Sequence, residues 1–294
     1  MDKNSRFGVK KEVKTNHSFG LNDWKIFDIL LFSRGMSEVL KIVEGWIESE
    51  AKNKPTSLKL RRPRWIATVN PEFVMKSIKD KSFRELLTKT DLNVVDGVGL
   101  VWAKELDRQF VSLSDVSFLR KFMVGAKVGG EILRGKHREG LVTGADLMPE
   151  LCKLASEKGY KVFFLGGFSD RAKRTADYFR SQMSDLRCQI SSGEPDFSNE
   201  QVLKKINEFK PDILFVAYGM KKQEEWIKVN RNKADFGVVI GVGRSFDYYS
   251  GDLKRAPKMW RKIGMEWLYS LIKEPKRWRR QLELPKFVWK VLTN

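Results

Sequence analysis

Short runs of consecutive apolar residues recur along the chain, each closed by glycine, proline or a polar pair, and stretches of helical spacing lie between them. Trp65-Ile-Ala-Thr-Val runs into Asn70-Pro71, and Leu92-Asn-Val-Val runs into Asp96-Gly97. Lys161-Val-Phe-Phe-Leu stops at Gly166-Gly167; Asp212-Ile-Leu-Phe-Val and Val238-Val-Ile each end near glycine. Runs that are apolar on both faces predict strands buried between two layers of helix. A further strand is predicted over residues 25–32. Helices are predicted over 36–50, from Pro71 onward, where proline suits a first turn, around 148–159, and over 169–183 with Ser169 as N-cap. The alternation predicts an α/β fold, a Rossmann-like parallel sheet with helices on both faces.

Two regions break this rhythm. Residues 107–140 show no clear strand and contain Gly125, Gly129, Gly130 and Gly135, which predicts a long mobile insertion within an α/β domain spanning 24–251. From residue 252 the strand–helix pattern stops, and a basic, aromatic appendage follows, its helical stretches broken at Pro275 and Pro285. Trp260, Ile263, Trp267, Leu268 and Leu271 fall on one face of a helix there. Residues 1–23 are polar without periodicity and read as a flexible tail. Residues 52–64 form a basic connector.

Composition changes the picture in one respect. Lys and Arg number 56 against 37 Asp and Glu, a net charge of +19, so an anionic partner is expected. Within 252–294 the balance is 12 basic to 4 acidic, with four tryptophans among them. A helix packed on the core with a solvated basic face would explain this, as would attachment to an anionic membrane surface or a lipid diphosphate. A nucleic-acid surface lacks any accompanying motif. No run of about 20 apolar residues is present to cross a bilayer, and no secretory leader is apparent. With two cysteines, Cys152 and Cys188, and two histidines, His17 and His137, neither a zinc site nor a histidine-dependent triad is expected.

The polar residues that remain collect at predicted strand ends, where open α/β sheets bind ligands. These are Thr68 and Asn70, Asp96-Gly97, Gly166-Gly167, Gly219 followed by Gln223 and Glu224, and Gly241-Val-Gly243. Each alone has a plainer reading: Asp-Gly as a turn, Gly-Gly as a tight strand-to-helix connection that also admits a phosphate. Neither G-x-G-x-x-G nor G-x-x-x-x-G-K-[ST] is present, which disfavours a dehydrogenase-like or P-loop protein.

Read in order, Thr68-Val-Asn70-Pro-Glu72, Asp96-Gly-Val-Gly99, Val142-Thr-Gly-Ala-Asp-Leu147, Phe163-Phe-Leu-Gly-Gly167, Lys222-Gln-Glu-Glu-Trp226, Gly241-Val-Gly-Arg-Ser-Phe-Asp247, Lys254-Arg-Ala-Pro257, Glu266-Trp-Leu-Tyr269 and Glu274-Pro-Lys-Arg277-Trp-Arg-Arg280 resemble the WecG/TagA/CpsF glycosyltransferases over roughly residues 25–281. The resemblance implies an inverting, metal-independent transferase without cofactor. It would move N-acetylmannosamine or a related sugar from UDP to undecaprenyl-diphosphate-linked N-acetylglucosamine, for teichoic acid, common antigen or capsule synthesis. It implies Asp96 as base, with Thr68, Asn70 and Gln223 beside it and Arg277 and Arg280 on phosphates. Gly166, Gly167, Gly219, Gly243 and Asp247 are the expected nucleotide contacts, and no nucleic acid is expected. A cytoplasmic protein held peripherally on the inner membrane face follows; the oligomeric state stays open.

The chain departs from the family pattern at four places. Leu141 stands where an arginine is usual, with Arg138 three residues earlier. The loop Gly219-Met-Lys-Lys-Gln-Glu224 lacks a proline, Arg244 replaces a glycine, and Ser270 replaces an arginine for which Lys273 or Arg244 is a candidate substitute. A basic, non-catalytic nucleic-acid binder would account for the charge but not for Asp96, Gln223 or the clustering at strand ends.

Overall fold

The computed structural model describes residues 23–52, 60–111, 116–196 and 199–294. The first half runs β1 (Asp23–Ile26), β2 (Ile29–Phe32), α1 (Met36–Lys52), β3 (Arg64–Val69), α2 (Pro71–Lys79), α3 (Lys81–Leu87), β4 (Leu92–Val95), α4 (Val98–Phe110), α5 (Phe118–Leu133) and α6 (Gly144–Lys158). It continues with β5 (Lys161–Gly166), α7 (Arg171–Gln182), β6 (Arg187–Ser191), α8 (Glu200–Phe209), β7 (Ile213–Ala217), α9 (Lys222–Asn230), β8 (Val238–Gly241) and α10 (Ser245–Tyr249). Then come α11 (Lys258–Lys262), α12 (Glu266–Lys273), a 3-10 turn (Pro275–Arg277), α13 (Trp278–Gln281) and α14 (Glu283–Thr293).

The strands form one sheet in the order β1-β2-β4-β3-β8-β7-β5-β6, parallel except for the antiparallel β1–β2 pair. The expected α/β architecture is therefore present, with a mixed rather than wholly parallel sheet. Successive residues of β3 and β7 feed opposite faces. Trp65, Ala67, Leu214 and Val216 pack with α2, α3, α4, α9 and α14, whereas Ile66, Ile213 and Phe215 pack with α1, α6, α7 and α10. Burial on both sides is why these strands read as unbroken apolar runs.

This layering creates the crevice. β3 and β8 are neighbours, with Trp65 paired to Val239. The chain leaving β3 enters α2 on one face, and the chain leaving β8 enters α10 on the other. Adjacent strands whose connections part to opposite faces leave a gap at their carboxyl ends.

Several expectations are corrected. Residues 25–32 form a hairpin, not one strand, because Phe27 and Asp28 take left-handed φ values of 43° and 69°. The helix expected from Ser169 begins at Arg171; Ser169 itself has φ 54° and caps nothing. The supposed irregular insertion at 107–140 is largely helical. Its Gly125 lets α5 lie close on α4, and the Trp102 indole N–H donates to the Gly125 carbonyl at 2.8 Å. The stripe from Trp260 to Leu271 is not one helix face, because Gly264, at φ 75°, separates α11 from α12. Pro285 breaks nothing: it lies in the first turn of α14, where its missing N–H has no helical partner to lose. Edge strand β6, apolar on one side only, and α8 escaped the pattern. The tail expected at 1–23 falls, apart from the backbone of Asp23, outside the described residues, as does most of the 52–64 connector.

α14 belongs to the core. Phe287, Val291 and Leu292 are buried against the face that holds α2 and α4.

Two of the three α5 glycines give a sharp test of this packing. A Cβ at Gly125 would sit 2.9 Å from the Trp102 ring, whereas one at Gly129 meets nothing within 4 Å. Gly125→Ala is expected to destabilise by about 1–3 kcal/mol through overpacking. Gly129→Ala is expected to stabilise by roughly 0.5–1 kcal/mol through helix propensity. Urea unfolding of both variants measures the difference, and effects of the same sign would refute the packing.

Candidate active site

A cavity of about 350 Å³ opens at the carboxyl ends of β3, β4 and β8. That lies within the range of small-molecule sites. Thr68, Asn70, Asp96, Gly219, Gln223 and Gly243 line it, together with Arg280 from the appendage. Most of the polar residues singled out from the sequence therefore meet in one place. Three do not: Gly166, Gly167 and Asp247 lie outside the lining. β5 stands two strands away from β8, so its end opens to the side. Gly166 and Gly167, at φ 99° and 74°, make the tight exit from β5. Asp247 is taken up by Arg171 at 2.7 Å and Arg244 at 3.3 Å. The Arg277 side chain lies outside the described residues, although its backbone closes the 3-10 turn.

Asp96 follows β4 directly. Its backbone N–H donates to the Val69 carbonyl at 2.7 Å, and one carboxylate oxygen accepts from the Gly144 N–H at 3.2 Å. Gly144 opens α6 behind the N-cap Thr143. Burial raises the Asp96 pKa, the Gly144 hydrogen bond opposes that, the charges of Glu266 and Asp146 add to it, and Arg255 partly offsets them; the result is about 7. Such a carboxyl exchanges a proton near neutrality.

Its neighbours are more firmly committed. Thr68 donates from its hydroxyl to the Gly241 carbonyl at 3.0 Å. The Asn70 side-chain oxygen caps α2 by accepting from the Phe73 N–H at 3.0 Å, which leaves its amide N–H groups for a ligand. Gln223 is 1% exposed. Its amide donates to buried Glu224 at 2.7 Å and accepts from the Gly243 N–H at 3.0 Å, so it fixes the loop after β8. Burial also pushes Glu224 up to about 7, against hydrogen bonds from Gln223 and the Lys221 N–H.

The appendage closes the cavity through arginine–carboxylate pairs between distant motif blocks. Arg255 grips both Asp146 oxygens, at 2.6 and 2.8 Å, and reaches Glu266 at 3.0 Å. Arg280 grips both Glu72 oxygens at 2.9 and 2.8 Å. Arg244, the residue that replaces a glycine, grips both Glu274 oxygens at 2.7 and 2.9 Å. Ser270 lines the same wall. Arg138, like Arg261, is a cavity-lining basic side chain outside the motif blocks. It lines the cavity, donates to the Lys262 carbonyl, and keeps a buried Nε–H without a partner. The signal was its place three residues before Leu141, where the family pattern has arginine.

The strand-end crevice thus brings together the Asp96 carboxyl and several arginines, a set suited to group transfer on an anionic substrate. The sequence model of the Glycosyl transferase WecG/TagA/CpsF family matches residues 25–118 and 124–294. The chain belongs to this family and is a glycosyltransferase. It is similar to the N-acetylglucosaminyldiphosphoundecaprenol N-acetyl-beta-D-mannosaminyltransferase of Staphylococcus aureus (strain MW2), with 30% identity over 227 residues, 77% of this chain and 79% of that protein. The protein of the same description from strain NCTC 8325 / PS 47 matches with the same identity and coverage.

Asp96 sets a pH dependence of stability. Its folded pKa, about 7, lies above its ordinary 3.8, so the folded state holds the extra proton between those values. Stability therefore falls as pH rises through this window, by about 1.4 kcal/mol per unit at most. Asp96→Asn removes the titration and can still accept from Gly144. It is expected to melt higher than the native chain at pH 8 and equally at pH 4. A constant offset across thermal melts from pH 4 to 8 would contradict the shift.

Proposed function

We propose that this chain moves N-acetylmannosamine, or a related sugar, from UDP to N-acetylglucosaminyl-diphosphoundecaprenol, inverting the anomeric centre. The observation that carries the reading is Asp96, a carboxyl with a pKa of about 7 at the wall of an arginine-rimmed cavity. The acceptor is suggested by the description of the Staphylococcus aureus relatives. Asp96 takes the proton of the acceptor hydroxyl as its oxygen attacks the anomeric carbon. The bond from that carbon to the diphosphate breaks, and the nucleoside diphosphate leaves with its electron pair. The developing phosphate charge is met by guanidinium groups, whose forked donors suit phosphate oxygens. Arg138 is our first candidate, because its buried Nε–H has no protein partner. Arg277 and Arg280 are further candidates; Arg280 must exchange Glu72 for a phosphate to act so. Thr68 and Gln223 hold the loop after β8, and Asn70 offers N–H groups to the sugar. Gly219 and Gly243 permit close approach of the nucleotide, whereas Gly166, Gly167 and Asp247 serve the scaffold.

The same reading has the protein working on the inner membrane face. No described helix is long and apolar enough to cross a membrane. Exposed Trp278 and Trp289 stand among the basic residues of the appendage, the combination that favours an anionic interface. Teichoic acid or capsule synthesis would be the setting.

Four measurements test this function. Asp96→Asn is expected to lower kcat by roughly 10²-fold or more while the protein stays folded. In the native enzyme kcat/KM is expected to rise with pH to a plateau above about 7, because the ionised carboxylate is the base. Near-native turnover in the variant would exclude Asp96. Turnover in excess EDTA is expected to persist, with arginines rather than a divalent ion meeting the phosphate charge; loss restored by Mg²⁺ or Mn²⁺ would overturn that. Arg138→Ala is expected to raise the donor KM or lower kcat by about tenfold or more, the worth of a charge-assisted hydrogen bond. Unchanged donor kinetics would remove Arg138 from the site.

A further inference from the structure

A second cavity, of about 560 Å³, lies between α5 and the C-terminal helices. Its walls are almost wholly apolar: Phe118 and Phe122 from α5 face Trp267 and Leu271 of α12 and Val288 and Trp289 of α14. Phe118 packs on Trp289 with ring centroids 5.6 Å apart, which fixes the two sides together. Trp267, Gln281 and Leu284 line this groove and the Asp96 cavity alike, so the two spaces share a wall.

On the α5 side of the groove, Phe122 falls in a gap of the family match. The family match runs from 25 to 118 and resumes at 124, so it omits residues 119–123. That stretch contains Leu119, Phe122 and Met123, which are 64%, 53% and 57% exposed. α5 already turns its Gly125, Val128 and Ile132 side to the core. Its second apolar face is only partly covered, by the Phe118–Trp289 contact, and leaving several large apolar side chains in water is costly.

We propose that this groove receives the isoprenoid chain of the acceptor, with Phe118 and Phe122 of α5 as one of its walls. The inference rests on the acceptor reading above. A sugar diphosphate seated at Asp96 must lead its lipid out of the cavity, and the shared wall of Trp267 and Leu284 offers an apolar exit. The concave, aromatic-lined form suits a methyl-branched chain better than a flat bilayer surface. Arg279, Lys286 and Lys290, exposed on the groove-forming helices, add positive charge suited to the diphosphate end and to lipid head groups.

The test uses the full chain with Phe122→Ser and, separately, Phe118→Ser, both exposed side chains on the groove wall. Each is assayed on two acceptors with the same N-acetylglucosaminyl diphosphate head, one on an undecaprenyl chain and one on an alkyl chain too short to fill the groove. The substitutions are expected to raise KM for the undecaprenyl acceptor at least tenfold and leave the short acceptor within twofold. Equal effects on both acceptors, or no effect on either, overturn the proposal. Two controls separate other occupants. Loss of co-sedimentation with phosphatidylglycerol vesicles, with full long-chain activity regained in detergent micelles, would make the face a membrane anchor. A dimer that becomes a monomer on sedimentation would make it a contact between two copies. Either result overturns the isoprenoid reading. Native turnover of the short acceptor checks the head group independently. Its absence, with the long acceptor also unused, strikes the functional reading and this inference together, whereas a response blind to chain length strikes only the groove.

Discussion

The site depends on how Arg255 is shared. This guanidinium sits between Asp146 at the start of α6 and Glu266 at the start of α12 and binds both. Because its donors are taken, it acts on Asp96 only as a distant charge. Burial first, and the charges of Glu266 and Asp146 after it, hold the Asp96 proton against a single backbone hydrogen bond. A cation placed directly on Asp96 would have made it a permanent anion, and a poorer base. The clasp also ties the chain after β8 to the helix that begins beside β4, so the geometry of the carboxyl and the position of the appendage are set by the same bonds.

The other arginine pairs extend this logic. Arg280 to Glu72 and Arg244 to Glu274 join segments separated by 208 and 30 positions. Arg244 stands where the family pattern has glycine, and its partner lies in the appendage. The cation that seemed an intrusion in the sequence is a fastener between the loop after β8 and the turn that follows α12. The appendage is thus not a tether hung on a finished domain. It supplies core residues through α14 and cavity wall through α12 and α13.

The central strands were legible because they are buried on both faces, and a run of apolar residues between punctuating glycines has few other readings. Asp96, Thr68, Asn70 and Gln223 were legible because strand ends in such sheets face one edge. Elements with one exposed face were harder. β6 alternates and lies at the sheet edge, and the hairpin at 23–32 hides its turn in Phe27 and Asp28, residues that seldom adopt left-handed conformations. The glycines of α5 looked like a loop because glycine is rare inside helices; here Gly125 is demanded by the closeness of Trp102. Gly166, Gly167 and Asp247 were grouped with the site by motif order, but strand order decides position, and β5 is not beside β8. Arg138 was visible as a displaced arginine, yet only the folded chain brings it to the cavity.

The pairing of β3 with β8 has a consequence for how the molecule comes into being. Thr68 and the Gly241 carbonyl it holds are 173 positions apart. At about 5–20 residues per second, a ribosome needs roughly ten to thirty seconds to make the second partner after the first. During that interval β3 and β4 have emerged with their apolar faces unpaired on one side, and no crevice exists. Sheet closure, site assembly and relief from aggregation therefore fall at the same late moment of synthesis. Such a chain is a natural client for holding chaperones while it is being made, and a fragment ending short of β8 carries Asp96 but no crevice to hold a substrate against it.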